Sequence, residues 1–254
     1  MTATYDPLAP HYDAVAGDGV AEAAFVHDLI RQRRLIEPGR VATLLDVACG
    51  TGAIAASLAL EHQGGYRVSG LDISPGMLAV ARTKLPVGTP LYQADMTSFR
   101  IDARFDAVVC AYQGVNHLLS FPAWESFFRC VYEHLNAGGV FVFDIATVGH
   151  LARMAGLEKI VQQFGDNYLL IRVHTVDGAV FQWRIEVYEL QPDGRYRLLT
   201  EVVEMTSFPV GRVREALGRW FTGIEVAGGD GSSVDPDAED RIWLTCIKPP
   251  DRLS

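Results

Sequence analysis

A glycine-containing turn and an acidic residue about twenty positions later have the types and spacing of a ligand site. Gly50 and Gly52 close the run Leu44-Leu-Asp-Val-Ala-Cys-Gly-Thr-Gly52. Because they lack Cβ atoms, they allow a sharp turn and let a ligand approach the main chain closely. Asp72 ends the next apolar run, where a carboxylate can accept both hydroxyls of a ribose. The combination predicts a site for a nucleoside.

The residues around these glycines argue against two common phosphate-binding turns. The dinucleotide pattern G-x-G-x-x-G would need glycines where the chain has Ala48 and Ala53. A P-loop would need a Gly-Lys-Ser/Thr ending, which this turn lacks. Neither pyrophosphate nor triphosphate binding is supported, and a nicotinamide-dependent dehydrogenase is disfavoured for the same reason.

Short apolar runs that alternate with helical patterns would position this turn. Such alternation indicates βαβ units and a doubly wound, mostly parallel sheet in an α/β fold. Strands are predicted at 43–48, 67–72, 91–93, 105–111 and 140–145, and helices at 53–62, 75–84 and 122–135. Ligands bind beyond the carboxyl ends of such strands, so the turn and Asp72 should meet at one edge.

The pattern changes beyond about residue 165, where three extended segments are joined by turn sequences. They lie at 168–176, 179–190 and 195–208, with Asp177-Gly178 and Pro192-Asp193-Gly194 between them. We interpret them as an antiparallel β insertion. The chain then divides into an N-terminal helical lid segment (1–40), a Rossmann-like core (41–165), the insertion as a substrate cap (166–209) and a C-terminal part that completes the core sheet (210–254).

Several motifs in unbroken order resemble those of class I S-adenosylmethionine-dependent methyltransferases. The run Asp46–Gly52 resembles motif I, Asp72 stands at the acidic position after the second strand, and Asp95-Met96 resembles the acidic position after the third. Phe105–Tyr112 looks like motif IV. The resemblance covers about residues 5–146 and implies a seven-stranded sheet with a reversed last strand. The insertion is similar to that of bacterial sugar-amine N-methyltransferases.

The resemblance also assigns site residues. S-adenosylmethionine is the implied cofactor, and no metal ligands are expected. The implied cofactor-binding residues are Tyr12, Asp46, Ala48, Cys49, Gly50, Gly52, Asp72, Ile73, Met77, Asp95, Met96 and Ala111.

Residues after the fourth strand are the candidates for catalysis. A sulfonium methyl is already activated, so the protein has mainly to position the acceptor and, where needed, to remove a proton. Tyr112, Asn116 and His117 follow the fourth strand and should face the acceptor. His117 can act as a general base, or it can line the pocket without transferring a proton.

Composition restricts the partners. The 254 residues carry a formal charge of −9 with a pI near 5.2, which argues against nucleic acid as a partner. The N-terminus lacks the pattern of a secretory signal and no apolar run is long enough to cross a bilayer, so a cytoplasmic protein without a membrane partner is expected. Four widely spaced cysteines favour reduced thiols.

The acceptor is interpreted as a small metabolite, methylated on oxygen or nitrogen in a bacterial secondary pathway. Two alternatives stay open: a methyltransferase for RNA or protein, and a non-catalytic subunit that binds S-adenosylmethionine. Motif IV departs from the Asn/Asp-Pro-Pro-Tyr/Phe pattern, which counts against methylation of nucleobase amines. A homodimer is compatible with the sequence.

Overall fold

The computed structural model describes residues 5–33, 41–60, 65–228 and 238–250. The predicted boundary near residue 40 and the predicted end of a helix at His62 lie outside these residues. Within the described part, the chain forms two sheets, and the longer stretches of helix cover the faces of the first.

The first sheet has seven strands. They are β1 (Ala42–Val47), β2 (Tyr66–Asp72), β3 (Leu91–Gln93), β4 (Phe105–Cys110), β5 (Leu135–Ala146), β10 (Thr222–Gly228) and β11 (Arg241–Ile247). Their order is β10-β11-β5-β4-β1-β2-β3. Strands β1 to β5 pair in parallel, whereas β11 runs antiparallel to both β5 and β10. The predicted fold class, with its reversed last strand, is confirmed.

Apolar side chains bury both faces of this sheet, as near-continuous hydrophobic strands require. The helices are α1 (Tyr12–Ala16), α2 (Val20–Gln32), α3 (Ala53–Leu60), α4 (Pro75–Lys84), α5 (Phe121–His134), α6 (Val148–Ala155) and α7 (Val210–Leu217). One core cluster joins α5 and α7 to the sheet around Trp124 and Phe141, and the other joins α2 and α3 around Leu44. Among the described residues, no helix is long and apolar enough to span a membrane.

The second sheet is antiparallel and has four strands in sequential order, β6-β7-β8-β9. They are β6 (Ile160–Phe164), β7 (Asn167–Asp177), β8 (Val180–Leu190) and β9 (Tyr196–Thr206). The sheet therefore begins before residue 166, where the sequence placed its start. Strand β6 is short and mostly exposed, so it lacks the burial pattern by which the longer strands could be predicted.

One face of the second sheet packs against residues 5–16, the N-terminal segment of the described chain. A 3₁₀ helix at Asp6–His11 leads into α1, and Leu8 packs with Leu169, Ile185 and Val203. Asn116 fastens the two sheets together because its buried amide donates to the carbonyls of Ala146 and Thr206 and accepts from the Ala146 amide.

Candidate active site

The loop after β1 turns through three left-handed residues. Ala48, Gly50 and Gly52 have φ angles of 56°, 53° and 74°. A Cβ on Gly50 would meet nothing within 4 Å, whereas one on Gly52 would lie 3.0 Å from the Cβ of Ala81 in α4. Gly50 therefore leaves space for a ligand, while Gly52 lets the turn pack tightly on α4.

Asp72, at the carboxyl end of β2, stabilises this turn through hydrogen bonds to the main chain. Its carboxylate accepts hydrogen bonds from the Gly50 amide at 2.8 Å and the Ser74 amide at 2.9 Å. Burial raises the pKa of Asp72, although the amides that donate to it act in the opposite direction. A carboxylate has about four lone-pair positions, so two main-chain donors leave capacity for further hydroxyls.

A cavity of about 150 Å³, here called the central cavity, opens beside Asp72. Most of the predicted cofactor residues line it. These are Tyr12, Ala48, Gly50, Asp72, Ile73, Met77, Asp95, Met96 and Ala111. Asp95 lies exposed after β3, with its Oδ1 accepting from the amide and hydroxyl of Thr97, each at 2.7 Å.

A smaller cavity, the side cavity, lies under the same turn and is lined by Asp46, Cys49 and Thr51 among others. Asp46 is 2% exposed, and burial together with the charge of Asp72 raises its pKa to about 8. Gly52 lines neither the central cavity nor the side cavity. Its contribution is to the turn rather than to a cavity wall.

The N-terminal segment of the described chain, residues 5–16, borders both cavities and is held there by two carboxylates. Asp6 accepts from the Ser74 hydroxyl and from the Gly76 amide at 2.9 Å. Asp13 accepts from the Thr51 hydroxyl at 2.5 Å and pairs with Lys84. These bonds bring Tyr12 over the central cavity, where burial and nearby carboxylates raise its pKa to about 12.

A third cavity of about 270 Å³, the insertion cavity, lies between this N-terminal segment and the second sheet. Four side chains line both it and the central cavity: Tyr5, Tyr12, Tyr112 and His117. The Tyr5 ring packs edge-on against Tyr12 and against His117, with centroids 5.9 and 5.5 Å apart. These four residues, the junction residues, mark the place where ligands in the two cavities would meet.

The hydrogen bonds of His117 determine which of its ring nitrogens is free to act. Nδ1 lies 3.3 Å from the main-chain carbonyl of Glu204, which can only accept, so Nδ1 carries the hydrogen. Nε2 then carries the lone pair and accepts a hydrogen bond of 3.4 Å from the Tyr5 hydroxyl. Burial lowers the pKa of His117, so the ring is neutral at pH 7 and Nε2 can accept a proton.

Comparison with known proteins matches this arrangement to a defined enzyme class. A methyltransferase domain family matches residues 44–139. The sugar N-methyltransferase KedS8 from Streptoalloteichus sp ATCC 53650 superposes with a TM-score of 0.72 and 29% identity, over 94% of this chain and 91% of that one. These matches support a class I S-adenosylmethionine-dependent methyltransferase.

Two further proteins that are similar to this methyltransferase are also methyltransferases. CalS10, an amino pentose methyltransferase from Micromonospora echinaspora solved with S-adenosylmethionine bound, gives a TM-score of 0.71 and 26% identity over 93% of this chain and 94% of that one. The dTDP-3-amino-3,4,6-trideoxy-alpha-D-glucopyranose N,N-dimethyltransferase of Streptomyces venezuelae is 37% identical over 127 residues, half of each chain. The implied cofactor, S-adenosylmethionine, is confirmed for the methyltransferase.

The residues present in the methyltransferase suit that cofactor. The open position beside Gly50 admits a ligand to the main chain, and the Asp72 carboxylate keeps acceptor capacity at the end of β2. The cofactor carries cationic groups, and the side cavity holds a buried carboxylate, Asp46, which suits a cation. The individual roles of these residues stay predictions.

The structure gives different positions to the three residues after β4 that the sequence predicted to face the acceptor. His117 and Tyr112 are junction residues, but Asn116 is fully buried and its side chain bonds to the main chain of Ala146 and Thr206, so its predicted role facing the acceptor is wrong. Tyr112 has a left-handed φ of 55°, and burial and the neighbouring Glu22 raise the pKa of its hydroxyl. Its hydroxyl is therefore protonated at neutral pH and is not itself a base.

Sequence reasoning assigned no role to Tyr5, which lines two cavities and meets His117. The signal was present as a second tyrosine seven residues before Tyr12 in the same N-terminal segment. The position of that segment could not be predicted from the sequence. Tyr5 lies at the junction because Asp6 is hydrogen-bonded to residues at the start of α4.

Proposed function

We propose that this methyltransferase transfers a methyl group from S-adenosylmethionine to an oxygen or nitrogen atom of a small metabolite, in bacterial secondary metabolism. The observation that carries the proposal is the junction, where a cavity beside the glycine turn meets a second cavity beneath the insertion. A cavity of about 270 Å³ bounded by a sheet and a helical segment suits a small molecule better than a polymer.

Three carboxylates are proposed to hold the cofactor. Asp72 accepts the ribose hydroxyls, Asp95 meets the adenine amino group, and Asp46 faces the ammonium of the methionine part. When bound, S-adenosylmethionine would supply a methyl group activated by its sulfonium for attack by the acceptor oxygen or nitrogen. The two catalytic candidates, His117 and Tyr112, are junction residues and so face both cavities.

His117 is proposed as the general base. The Glu204 carbonyl accepts from Nδ1–H and fixes the ring, so that Nε2, once the acceptor replaces the Tyr5 hydroxyl, takes the proton that an acceptor hydroxyl or amine loses. Tyr112 is proposed to line the junction between the two cavities without transferring a proton. Relatives that bear the names of sugar N-methyltransferases support nitrogen as one acceptor atom.

Affinity for S-adenosylmethionine should fall as the pH is lowered from 8 to 6. Asp46 has a pKa of about 8, so below that pH it is protonated and must lose its proton before it can pair with an ammonium group. We expect up to about a tenfold loss of affinity per pH unit, since binding is coupled to the release of one proton. Calorimetry in two buffers of different ionisation enthalpy measures both the affinity and the proton count.

The asparagine variant Asp46→Asn supplies the control for this pH effect. It keeps the shape and removes the titration, so its affinity should be weaker at pH 8 and nearly independent of pH between 6 and 8. The range stops at 8 because an α-amino group itself loses its proton near pH 7.7–8.0. An equal slope in the variant would show that another group is responsible.

The proposed reaction is tested by supplying methyl-labelled S-adenosylmethionine and a metabolite extract of the source organism. We expect label in one or a few small molecules and none in purified RNA or protein, as read by mass spectrometry. Label confined to a macromolecule would overturn the proposal. Tight cofactor binding without label in any fraction would instead identify a non-catalytic subunit.

A further inference from the structure

Gln113 borders the place where the two cavities meet. It follows the end of β4 and lies in the chain between Tyr112 and His117, which are both junction residues. Ligands of open α/β sheets bind beyond the carboxyl ends of the strands, which is where this loop lies. Gln113 lines the insertion cavity but neither the central cavity nor the side cavity. Its side chain is therefore placed to contact the acceptor rather than the cofactor.

The main chain of Gln113 is held in an uncommon conformation by two hydrogen bonds. Tyr112 and Gln113 have φ angles of 55° and 58°, in the left-handed region that residues other than glycine rarely adopt. The Gln113 amide donates to Asp144 Oδ1 at 3.0 Å, and the Gln113 carbonyl accepts from the Asn116 amide at 2.9 Å. Both main-chain polar groups of Gln113 are thus occupied within the protein.

Asp144, in the neighbouring strand β5, orients the side chain of Gln113 as well. The Asp144 carboxylate is fully buried and accepts from Arg241 Nε at 2.5 Å. Burial raises the pKa of Asp144, whereas the guanidinium of Arg241, which stays charged, favours the ionised form. Gln113 Nε2 lies 3.4 Å from Asp144 Oδ2. Because an ionised carboxylate can only accept, the NH₂ group of Gln113 faces Asp144 and Oε1 faces away from it.

The Oε1 atom of Gln113 remains available to a ligand. It has no hydrogen-bond partner among the described residues, whose enclosed side-chain atoms without a partner belong to other residues, such as Tyr112 and Trp183. Oε1 therefore keeps accessible surface, and the residue lines the insertion cavity. An amide oxygen that loses its water to a ligand needs a new donor, and leaving it without one is costly. It selects a ligand that brings an O–H or N–H group.

Other polar side chains at the insertion cavity have uses already described. The Tyr5 hydroxyl donates to His117, and His11 pairs with a glutamate. The Tyr112 hydroxyl is enclosed by protein, and Tyr12 lines all three cavities and is predicted to bind the cofactor. Since His117 is proposed to take the hydrogen of the reacting group, a hydrogen donated to Gln113 comes from a different group of the acceptor.

We propose that Gln113 determines specificity for the acceptor: its Oε1 accepts a hydrogen bond from a hydroxyl or N–H group other than the one that is methylated. Asp144 acts as a positioning residue, because it fixes both the main chain and the amide of Gln113. This inference rests on the proposed function, since it assigns the insertion cavity to the methyl acceptor. Gln113 binds the acceptor and takes no proton from it.

The test uses the full-length protein with saturating methyl-labelled S-adenosylmethionine and a dilution series of the metabolite extract of the source organism. Initial rates of formation of the labelled product, read by mass spectrometry, give kcat and an apparent KM in units of extract concentration. Gln113→Met keeps the length of the side chain and the main-chain bond to Asp144, but it removes Oε1. We expect its apparent KM to rise about tenfold, as the loss of one hydrogen bond implies, with kcat within about threefold of the wild type.

Two further variants separate contact with the acceptor from support of the loop. Gln113→Asn suits the left-handed main chain better than glutamine does, but its amide is one methylene shorter, so its apparent KM should rise while its melting temperature does not fall. Gln163→Met makes the same chemical change at an exposed position of β6 and should leave both constants unchanged. Calorimetry should show that S-adenosylhomocysteine binds all three variants within about twofold of the wild-type affinity.

The labelled product gives an independent check. The group that donates to Gln113 is not methylated, so the product should keep at least one hydrogen that exchanges in heavy water, seen as an increase in mass. A product without an exchangeable hydrogen would overturn the inference.

The remaining outcomes separate this inference from the proposed function. An unchanged apparent KM in Gln113→Met, or a loss of S-adenosylhomocysteine affinity and melting temperature in both Gln113 variants, would overturn the inference while leaving methyl transfer intact. The second result would show that Gln113 only supports the loop. No labelled small molecule with the wild-type protein would instead contradict the proposed function, and the inference with it.

Discussion

Replacing Asp72 with asparagine is expected to weaken S-adenosylmethionine binding by about 100-fold, which corresponds to about 2.7 kcal/mol. The carboxylate accepts from Gly50 and Ser74 on the protein side and is proposed to accept ribose hydroxyls on the ligand side. Asparagine has a single acceptor oxygen and no charge, so it cannot satisfy both sets of donors. Calorimetric titration of the apo protein with S-adenosylmethionine measures the loss.

The variant should nevertheless stay folded. Burial raises the pKa of Asp72, which means that its charge is held at a cost in the free protein, so removing that charge should not destabilise the sheet. A melting temperature within a few degrees of the wild type would establish this. Asp102→Asn makes the same change at an exposed position and should leave the affinity unchanged. Unchanged affinity in the Asp72 variant would remove the assignment of this carboxylate to the cofactor.

The cofactor side of the site was predictable because each of its parts is local. Motif residues such as Gly50 and Asp72 follow their strands directly, and parallel strands bring their carboxyl ends to one edge of the sheet whatever the intervening helices do. Seven of the nine predicted residues that line the central cavity do so for this reason, whereas Met77 lies in α4 and Tyr12 in α1. Gly52 carries the same sequence signal, but its Cβ direction points into α4, which only the packing of the helix reveals.

The acceptor side was less predictable because it depends on contacts between distant segments. Trp183 and Leu8 line the same cavity because the N-terminal segment packs on the second sheet. The sequence around each residue does not predict this packing. Asn116 shows the same limit. Its position after β4 suggests that it faces the acceptor, but its amide donates to main-chain carbonyls 30 and 90 residues later in the sequence. The polarity of a residue and its position after a strand do not tell whether its side chain faces a ligand or bonds to the main chain.

Replacing His117 with asparagine is expected to lower kcat by 100-fold or more with the acceptor that the labelling experiment identifies. The asparagine amide can still donate to the Glu204 carbonyl in place of Nδ1–H, so the local structure is kept while the lone pair of Nε2 is lost. Affinity for S-adenosylmethionine should stay within about twofold of the wild-type value, because the proposed base acts on the acceptor rather than on the cofactor.

The pH profile distinguishes a base from a residue that only lines the junction. Burial lowers the pKa of His117, so the wild-type rate should fall only below about pH 6.5, as the free base becomes protonated. The variant should lose this acid limb, and its rate should rise with pH as the acceptor itself loses a proton. His11→Asn changes the other histidine of the insertion cavity, which pairs with Glu189, and should keep the wild-type profile. If the His117 variant kept both its rate and its acid limb, His117 would be a wall of the cavity, and the acceptor would reach the methyl group already deprotonated.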